Sequence, residues 1–217
     1  MKFPKLLFIC IILTLHLFSI SAKSQIRFSV NYGLDFYQHF TNPEVEGDTT
    51  LRTSGNAIAN IIIGPKFYIG FRNFSVSGEA EVNWGITALC LKEFKGVGVL
   101  SFPLLAKLNF GGLSGLIENI GDFGVSIGGG VQYSMTEIYG LTSEFNNITK
   151  RDLFKVYVGE IQIGYRAESG VASFYVRYGK GENNSSLFHI GYTVSYIFPT
   201  GDSRRSHSGI FRPSRKH

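Results

Sequence analysis

Several residue types are scarce in this chain, and each scarcity removes a class of protein. The 217 residues include two cysteines, and Cys10 lies in the apolar stretch at the start of the chain. If that stretch is removed, only Cys90 remains, so no intramolecular disulfide can form. Beyond residue 20, no segment offers the roughly 18 consecutive apolar residues of a transmembrane helix.

Patterns that carry catalysis or metal binding are also few. The five histidines include no pair spaced four residues apart, and no cysteine accompanies them. We therefore expect neither a metal site nor a cofactor. There is no Gly-x-Ser-x-Gly elbow, and the glycines at 128–130 lie in a predicted strand instead of a phosphate-binding loop.

One enzymatic alternative stays open at a single histidine. His189 lies close in sequence to Ser185 and Ser186, which permits a lipid-modifying hydrolase that uses serine, histidine and an acid. A polar residue on the inner face of a sheet is the interpretation we favour.

The two ends of the chain differ from the middle. Lys2 and Lys5 precede an apolar run from Leu6 to Ile20, and small residues follow, so residues 1–24 are predicted to be a cleaved signal peptide. Residues 25–198 are predicted to form one domain. The basic stretch 199–217 carries little apolar content, and we expect it to be disordered in the periplasm.

Net charge gives no indication of nucleic-acid binding. The formal charge of +5 falls to +2 when the three lysines of the signal peptide are removed. The basic tail contributes +4 of what remains, so the body of the protein carries about −2. We predict no nucleic-acid partner, because no broad basic surface is left.

The stretch Phe188–Phe198 is the most informative part of the chain. Its even positions are apolar or aromatic, and its odd positions are small or polar until Ile197. Successive side chains of a strand point to opposite faces, so this pattern predicts a strand with one apolar and one polar face. Similar alternation recurs from residue 25 onward and predicts about eight strands of roughly ten residues.

The connections between these strands alternate in length. Longer, polar segments follow the first, third and fifth predicted strands, among them 39–56 and 137–152, whereas 71–73 and 168–170 are tight turns. This asymmetry is typical of a membrane barrel, with long loops outside and short turns in the periplasm. The connection 111–122 is too long for a periplasmic turn and does not fit the pattern.

The polar face favours a membrane barrel over a soluble, lipocalin-like barrel whose apolar face points inward. Its charges are nearly balanced in sign and glycines accompany them, which suits a narrow interior where acids and bases pair. The predicted lumen charge network comprises Arg27, Asp35, Lys66, Glu79, Glu81, Lys107, Glu160, Arg166 and Arg177. The interior of an eight-stranded barrel is about filled by side chains, so this network is predicted to plug the lumen more readily than to conduct.

Residues 25–198 resemble the outer-membrane β-barrel proteins of Gram-negative bacteria, the small porin-like barrels in particular. The most specific likeness is in the last strand, at Gly191, Val194, Tyr196 and Phe198. In that family a final aromatic is read by the barrel-insertion machinery, so the resemblance implies that these residues form an assembly signal. Family members often end at the aromatic, whereas this chain continues to residue 217.

Together these observations predict an all-β fold: an eight-stranded, antiparallel, up-and-down transmembrane barrel. We expect an integral outer-membrane monomer that contacts the surrounding lipids and has a structural, adhesion or narrow-pore role without enzymatic activity. Three alternatives stay open: a passive porin for small solutes, a lipid-modifying enzyme, and a secreted soluble ligand-binding barrel. The cargo, partner and physiological role are not written in the sequence.

Overall fold

A computed structural model describes residues 25–43, 54–89, 96–116, 119–140 and 153–199. No helix in these ranges is long and apolar enough to cross a membrane. The predicted signal peptide and the tail from residue 200 onward lie outside the described residues, so both stay predictions. The strands are β1 (Gln25–Thr41), β2 (Ser54–Ala57), β3 (Asn60–Phe71), β4 (Phe74–Ala80), β5 (Val82–Leu89), β6 (Gly96–Gly111), β7 (Phe123–Gly140), β8 (Phe154–Arg166), β9 (Gly170–Gly181) and β10 (Ser186–Ile197).

The strands form a closed antiparallel barrel with eight positions around the ring. β2 and β3 share one position, β4 and β5 share another, and each remaining strand occupies its own. The ring closes where β1 pairs with β10 along most of its length, from Ser29 opposite Ile197 to Thr41 opposite Ser186. The predicted all-β meander of eight antiparallel strands is confirmed.

Two prolines lie inside the sheet without breaking their own strands. Pro65 lies inside β3 and Pro103 inside β6, and both strands continue through them. The interruption falls at Glu81, between β4 and β5, on the strand that lies between the two prolines. Glu81 donates its N–H to the Pro103 carbonyl at 2.9 Å. A proline has no N–H to return, so the ladder is weakened there.

Several strands extend further than the alternation indicated. Residues 39–41 and 54–56, predicted as loop, pair with each other, and the Asn56 side chain accepts a hydrogen bond from the Tyr37 hydroxyl at 2.8 Å. β7 likewise runs to Gly140. Phe40 and Ala57 are buried on the inner face there, so the alternation of an apolar outer and a polar inner face no longer marks the strand.

The two faces of the sheet have opposite chemistry. The outer face exposes large apolar side chains all round the ring, such as Ile161 at 55% and Phe67 at 53% of full exposure. The inner face buries serine, asparagine, glutamine and charged side chains. This is the reverse of a water-soluble barrel. It is the arrangement expected when lipid lies outside.

The two ends of the barrel also differ. The turn end carries the start of β1 at Gln25, the turns at Arg72–Asn73 and 167–169, and the connection 112–122. At the opposite end, the loop end, residues 42–53, 90–95, 141–152 and 182–185 join successive strands. The predicted alternation of long and short connections therefore corresponds to two distinct ends of the molecule.

Candidate functional site: a sealed lumen

All nine predicted lumen charges point into the barrel. None is more than 5% exposed, and Asp35 is fully buried. Since a buried charge is costly unless it is paired, the partners of these groups determine what the lumen can do. The structure brings six of the nine into one continuous chain and places the other three around it.

The six form an ion chain that crosses the lumen, with acids and bases alternating. Lys107 lies between Glu79 and Glu160 and contacts both carboxylates. Lys66 Nζ lies 3.1 Å from the second oxygen of Glu79. At the other end, Arg177 continues the chain from Glu160.

Arg177 holds two carboxylates on different strands. Its Nε donates to Glu160 at 2.5 Å and its Nη2 donates to Glu81 at 2.9 Å. Glu81 occupies the break between β4 and β5, so an interrupted ladder supplies a carboxylate to the chain. The ion chain thereby ties the β4–β5 segment to β9 across the barrel.

A second cluster is built around Asp35. One carboxylate oxygen accepts a hydrogen bond from the Tyr175 hydroxyl, and the other lies 3.1 Å from His189 Nδ1. Gln132 connects this cluster to the ion chain, since its side-chain oxygen accepts from Arg177 at 3.3 Å and its nitrogen lies 3.4 Å from His189 Nε2. The middle of the lumen is therefore one hydrogen-bonded unit.

Arg27 and Arg166 lie nearer the turn end. The two cations interact with each other as like charges, and Arg166 also interacts with Tyr68. Among the described residues, the Nε and Nη1 atoms of Arg166 and the hydroxyl of Tyr68 have no hydrogen-bond partner. These two arginines, like Asp35, thus lie outside the ion chain.

Apolar side chains close the lumen above the ion chain, towards the loop end. Phe40, Ala57, Val99, Val156 and Leu187 are at most 1% exposed and belong to one packed cluster. Their inward orientation breaks the simple rule of a polar inner face. Val156, an apolar residue on the inner face of β8, is part of this apolar layer.

The connection between β6 and β7 closes the turn end, which accounts for its unexpected length. It begins with a 3-10 helix, Gly112–Ser114, and brings Leu113 and Leu116 into the barrel, where they are 2% and 0% exposed. Leu113 packs in one cluster with Tyr68, Val171 and Ile197. A tight turn could not deliver these side chains.

Polar contacts hold this connection in place. Asn119 donates to the Arg72 carbonyl at 2.7 Å, and also to the Ser114 hydroxyl at 2.7 Å. The Gly121 N–H donates to the Arg166 carbonyl at 2.8 Å, and the Arg166 N–H donates back to Asp122 at 3.0 Å. The connection is therefore joined to the ends of β3 and β8.

His189 does not pair with the serines that the hydrolase alternative requires. Its ring contacts Asp35 and Gln132 and is fully buried. The Ser185 hydroxyl instead donates to the Glu182 carbonyl at 2.8 Å. In the described part of the chain, no three His, Cys, Asp or Glu side chains gather in a way that could hold a metal ion.

The residues of the predicted assembly signal lie on the strand that closes the ring. Phe198 stacks on Phe28 with ring centroids 5.3 Å apart, and its N–H donates to the Phe28 carbonyl at 2.9 Å. Gly191 faces inward, where a Cβ would lie 2.6 Å from the Tyr175 ring. Glycine is needed there because Tyr175 passes over it to reach Asp35. Tyr196 and Val194 complete the predicted signal on the outer face.

Known proteins offer a likeness in architecture. No protein-family model and no curated protein matches the chain. The outer membrane protein OprG from Pseudomonas aeruginosa matches with a TM-score of 0.46 and 16% identity, over 80% of this chain and 95% of that one. Ail, the attachment invasion locus protein of Yersinia pestis, matches with 0.44 and 10%, over 79% and 98%.

A second structure of Ail, in complex with the heparin analogue sucrose octasulfate, matches with a TM-score of 0.40 and 14% identity, over 80% of this chain and 99% of that one. The likeness is one of fold.

Replacing Lys107 by methionine tests the ion chain. The substitution leaves Glu79 and Glu160 buried without their shared cation, so we expect the free energy of unfolding to fall by about 3 kcal/mol or more. Urea unfolding in phosphatidylcholine vesicles measures this. Lys180→Met, on the outer face, is the matched control and should change little. Equal stability of the two variants would contradict the proposed pairing.

Replacing Leu116 by alanine tests the turn-end plug. Leu116 is fully buried, so its truncation should cost about 2–5 kcal/mol through lost contacts and a cavity. Ile120→Ala, in the same connection but 44% exposed, is the control and should cost far less. If both substitutions cost the same in the urea assay, the connection does not form part of the packed interior.

Proposed function

We propose that this protein is a monomeric outer-membrane barrel whose lumen is closed, and that it acts as a structural or adhesive element of the cell envelope. The observation that carries the proposal is the layering of the lumen. An ion chain in the middle is covered by Phe40 and its neighbours towards the loop end, and by Leu113 and Leu116 at the turn end. Such an interior leaves no continuous polar path between the ends.

The closed lumen also weighs against the other functions that the sequence left open. A passive porin needs a water-filled pathway, whereas here the charged groups of the ion chain pair with one another. A lipid-modifying hydrolase needs a nucleophile beside its base, and His189 has Asp35 and Gln132 as its neighbours instead. A soluble barrel would not expose Ile161, Phe67 and the rest of an apolar outer belt.

Location and assembly form part of the same proposal. The exposed apolar belt supports insertion in a bilayer, and the predicted signal peptide supports export to the outer membrane. The closing strand β10, with Phe198 at its end, is the segment we propose the insertion machinery to engage. The loop end of the barrel then faces outward and is the contact surface that we propose.

Planar bilayer recordings test the closed lumen. Purified, folded protein should show no stable ion-selective conductance, because the ion chain and both apolar layers block the lumen. A general porin reconstituted in parallel shows that the bilayers report channels. Folding is checked by heat-modifiable migration on a gel. Large, stable conductance steps from the folded band would overturn the proposal in favour of the porin alternative.

A further inference from the structure

Charge on the outer face is confined to one place. Lys155 and Lys180 are the only Lys, Arg, Asp or Glu side chains of the described strands that are not buried. Both point outward, Lys155 near the start of β8 and Lys180 near the end of β9. They therefore lie side by side at the loop end, on a surface that is otherwise apolar.

The register brings the two lysines within reach of one ligand group. Lys180 is directly opposite Tyr157, and Lys155 lies two residues before Tyr157 on the same face. Diagonal neighbours of this kind are about 7–8 Å apart, a span that two lysine side chains can bridge to one phosphate. The Lys155 ammonium lies 4.6 Å from the centre of the Tyr157 ring and contacts its hydroxyl.

Among the described residues, one acid lies near the pair. Glu182, exposed in the turn after β9, interacts electrostatically with Lys155. In the part of the chain that the structure describes, the two positive charges are therefore opposed by one carboxylate. The patch therefore retains a net positive charge at the level where lipid headgroups begin.

A shallow apolar groove lies in the belt beside this patch. Its lining includes Phe67, Gly78, Leu104, Ala106, Gly129 and Val131, and Val131 is opposite Tyr157, which is opposite Lys180. Its floor follows one row of paired positions, in which Gly78 is opposite Ala106 and Ala106 is opposite Gly129. The same row continues beyond the groove to Gly159 on β8.

The groove slopes because the strands are staggered. Gly78 lies close to the turn end of β4, which begins at Phe74. Tyr178, opposite Gly159 in the same row, lies close to the loop end of β9. From Tyr178, two residues before Lys180 on the same face, the row therefore descends towards Gly78, as an acyl chain does below its headgroup.

We propose that Lys155 and Lys180 bind the headgroup phosphate of an anionic lipid in the leaflet at the loop end, and that one acyl chain of that lipid lies in the groove towards Gly78. This rests on the proposed membrane location. The two cations supply charge complementarity, and the groove supplies the place for the chain.

Binding is measured on the folded, full-length protein by native mass spectrometry in detergent micelles, with dimyristoyl phosphatidic acid or dimyristoyl phosphatidylcholine as the added lipid. Wild-type protein should retain phosphatidic acid in preference to phosphatidylcholine. Lys155→Gln combined with Lys180→Gln should weaken phosphatidic acid binding about 25-fold, since each cation near an anionic headgroup contributes about a factor of five. Glu182→Gln should strengthen it.

Arg72→Gln is the control for charge removal. Arg72 is exposed in the turn after β3, at the opposite end of the barrel, and its replacement should leave lipid binding unchanged. Gly78→Leu tests the groove, because a Cβ at Gly78 meets no atom within 4 Å and the variant should fold. It should weaken binding of dimyristoyl but not dihexanoyl phosphatidic acid.

Equal binding of both lipids by the wild type, or unchanged binding by the double lysine variant, would overturn the headgroup site. Equal loss of both phosphatidic acids in Gly78→Leu would overturn the chain position. Each variant is first checked for heat-modifiable migration and for absence of conductance. If the wild type migrates as a folded barrel and does not conduct but shows no lipid preference, only this inference fails. If the wild type conducts ions or lacks heat-modifiable migration, the proposed function fails.

Discussion

The shared cation at Lys107 is the interaction on which the lumen depends. It stands between Glu79 and Glu160, and the chain continues to Lys66 on one side and to Arg177 on the other. Because neither end of the lumen admits bulk water freely, each charge relies on its neighbours for compensation. Residues on β3, β4, β6, β8 and β9 are thereby tied to one another through the interior, in addition to the backbone ladder at the wall.

Because the buried charges are paired inside the lumen, the outer wall of the barrel can be apolar. The wall can present apolar side chains to lipid because the polar groups that a folded chain must carry are satisfied inside. Apolar layers at both ends then turn what would be a wet channel into a packed core. The long connection after β6 serves this purpose by bringing Leu113 and Leu116 inward. What remains for contact with other molecules is the loop end and the outer surface, where Lys155 and Lys180 interrupt an apolar belt.

Much of the fold could be predicted from the sequence. Apolar and polar residues alternate along a strand wherever one face contacts lipid and the other lines the lumen. The eight strands, the ring and the inward placement of charges such as Arg177 follow from that alternation. The apolar layers that close the two ends of the lumen do not follow from the alternation. Phe40 and Val156 are apolar on the inner face, and Leu116 lies in a connection without any periodic pattern. Pairing inside the lumen also escaped prediction: alternation shows that Asp35, Tyr175 and His189 share a face, but only the register shows that they meet. The strand ends near Asn56 and Gly140 were missed because apolar side chains such as Phe40 and Ala57 face inward there, so the alternation between the two faces fails.

The central claim is that lipid acyl chains contact the outer face of the barrel. Trp84 allows this contact to be measured without any substitution. It is the only tryptophan in the chain, and it lies on the outer face of β5, 37% exposed. With the protein folded in vesicles, its fluorescence should be quenched by phospholipids brominated on their acyl chains and protected from aqueous iodide. Strong quenching by iodide without any effect of the brominated chains would contradict the account.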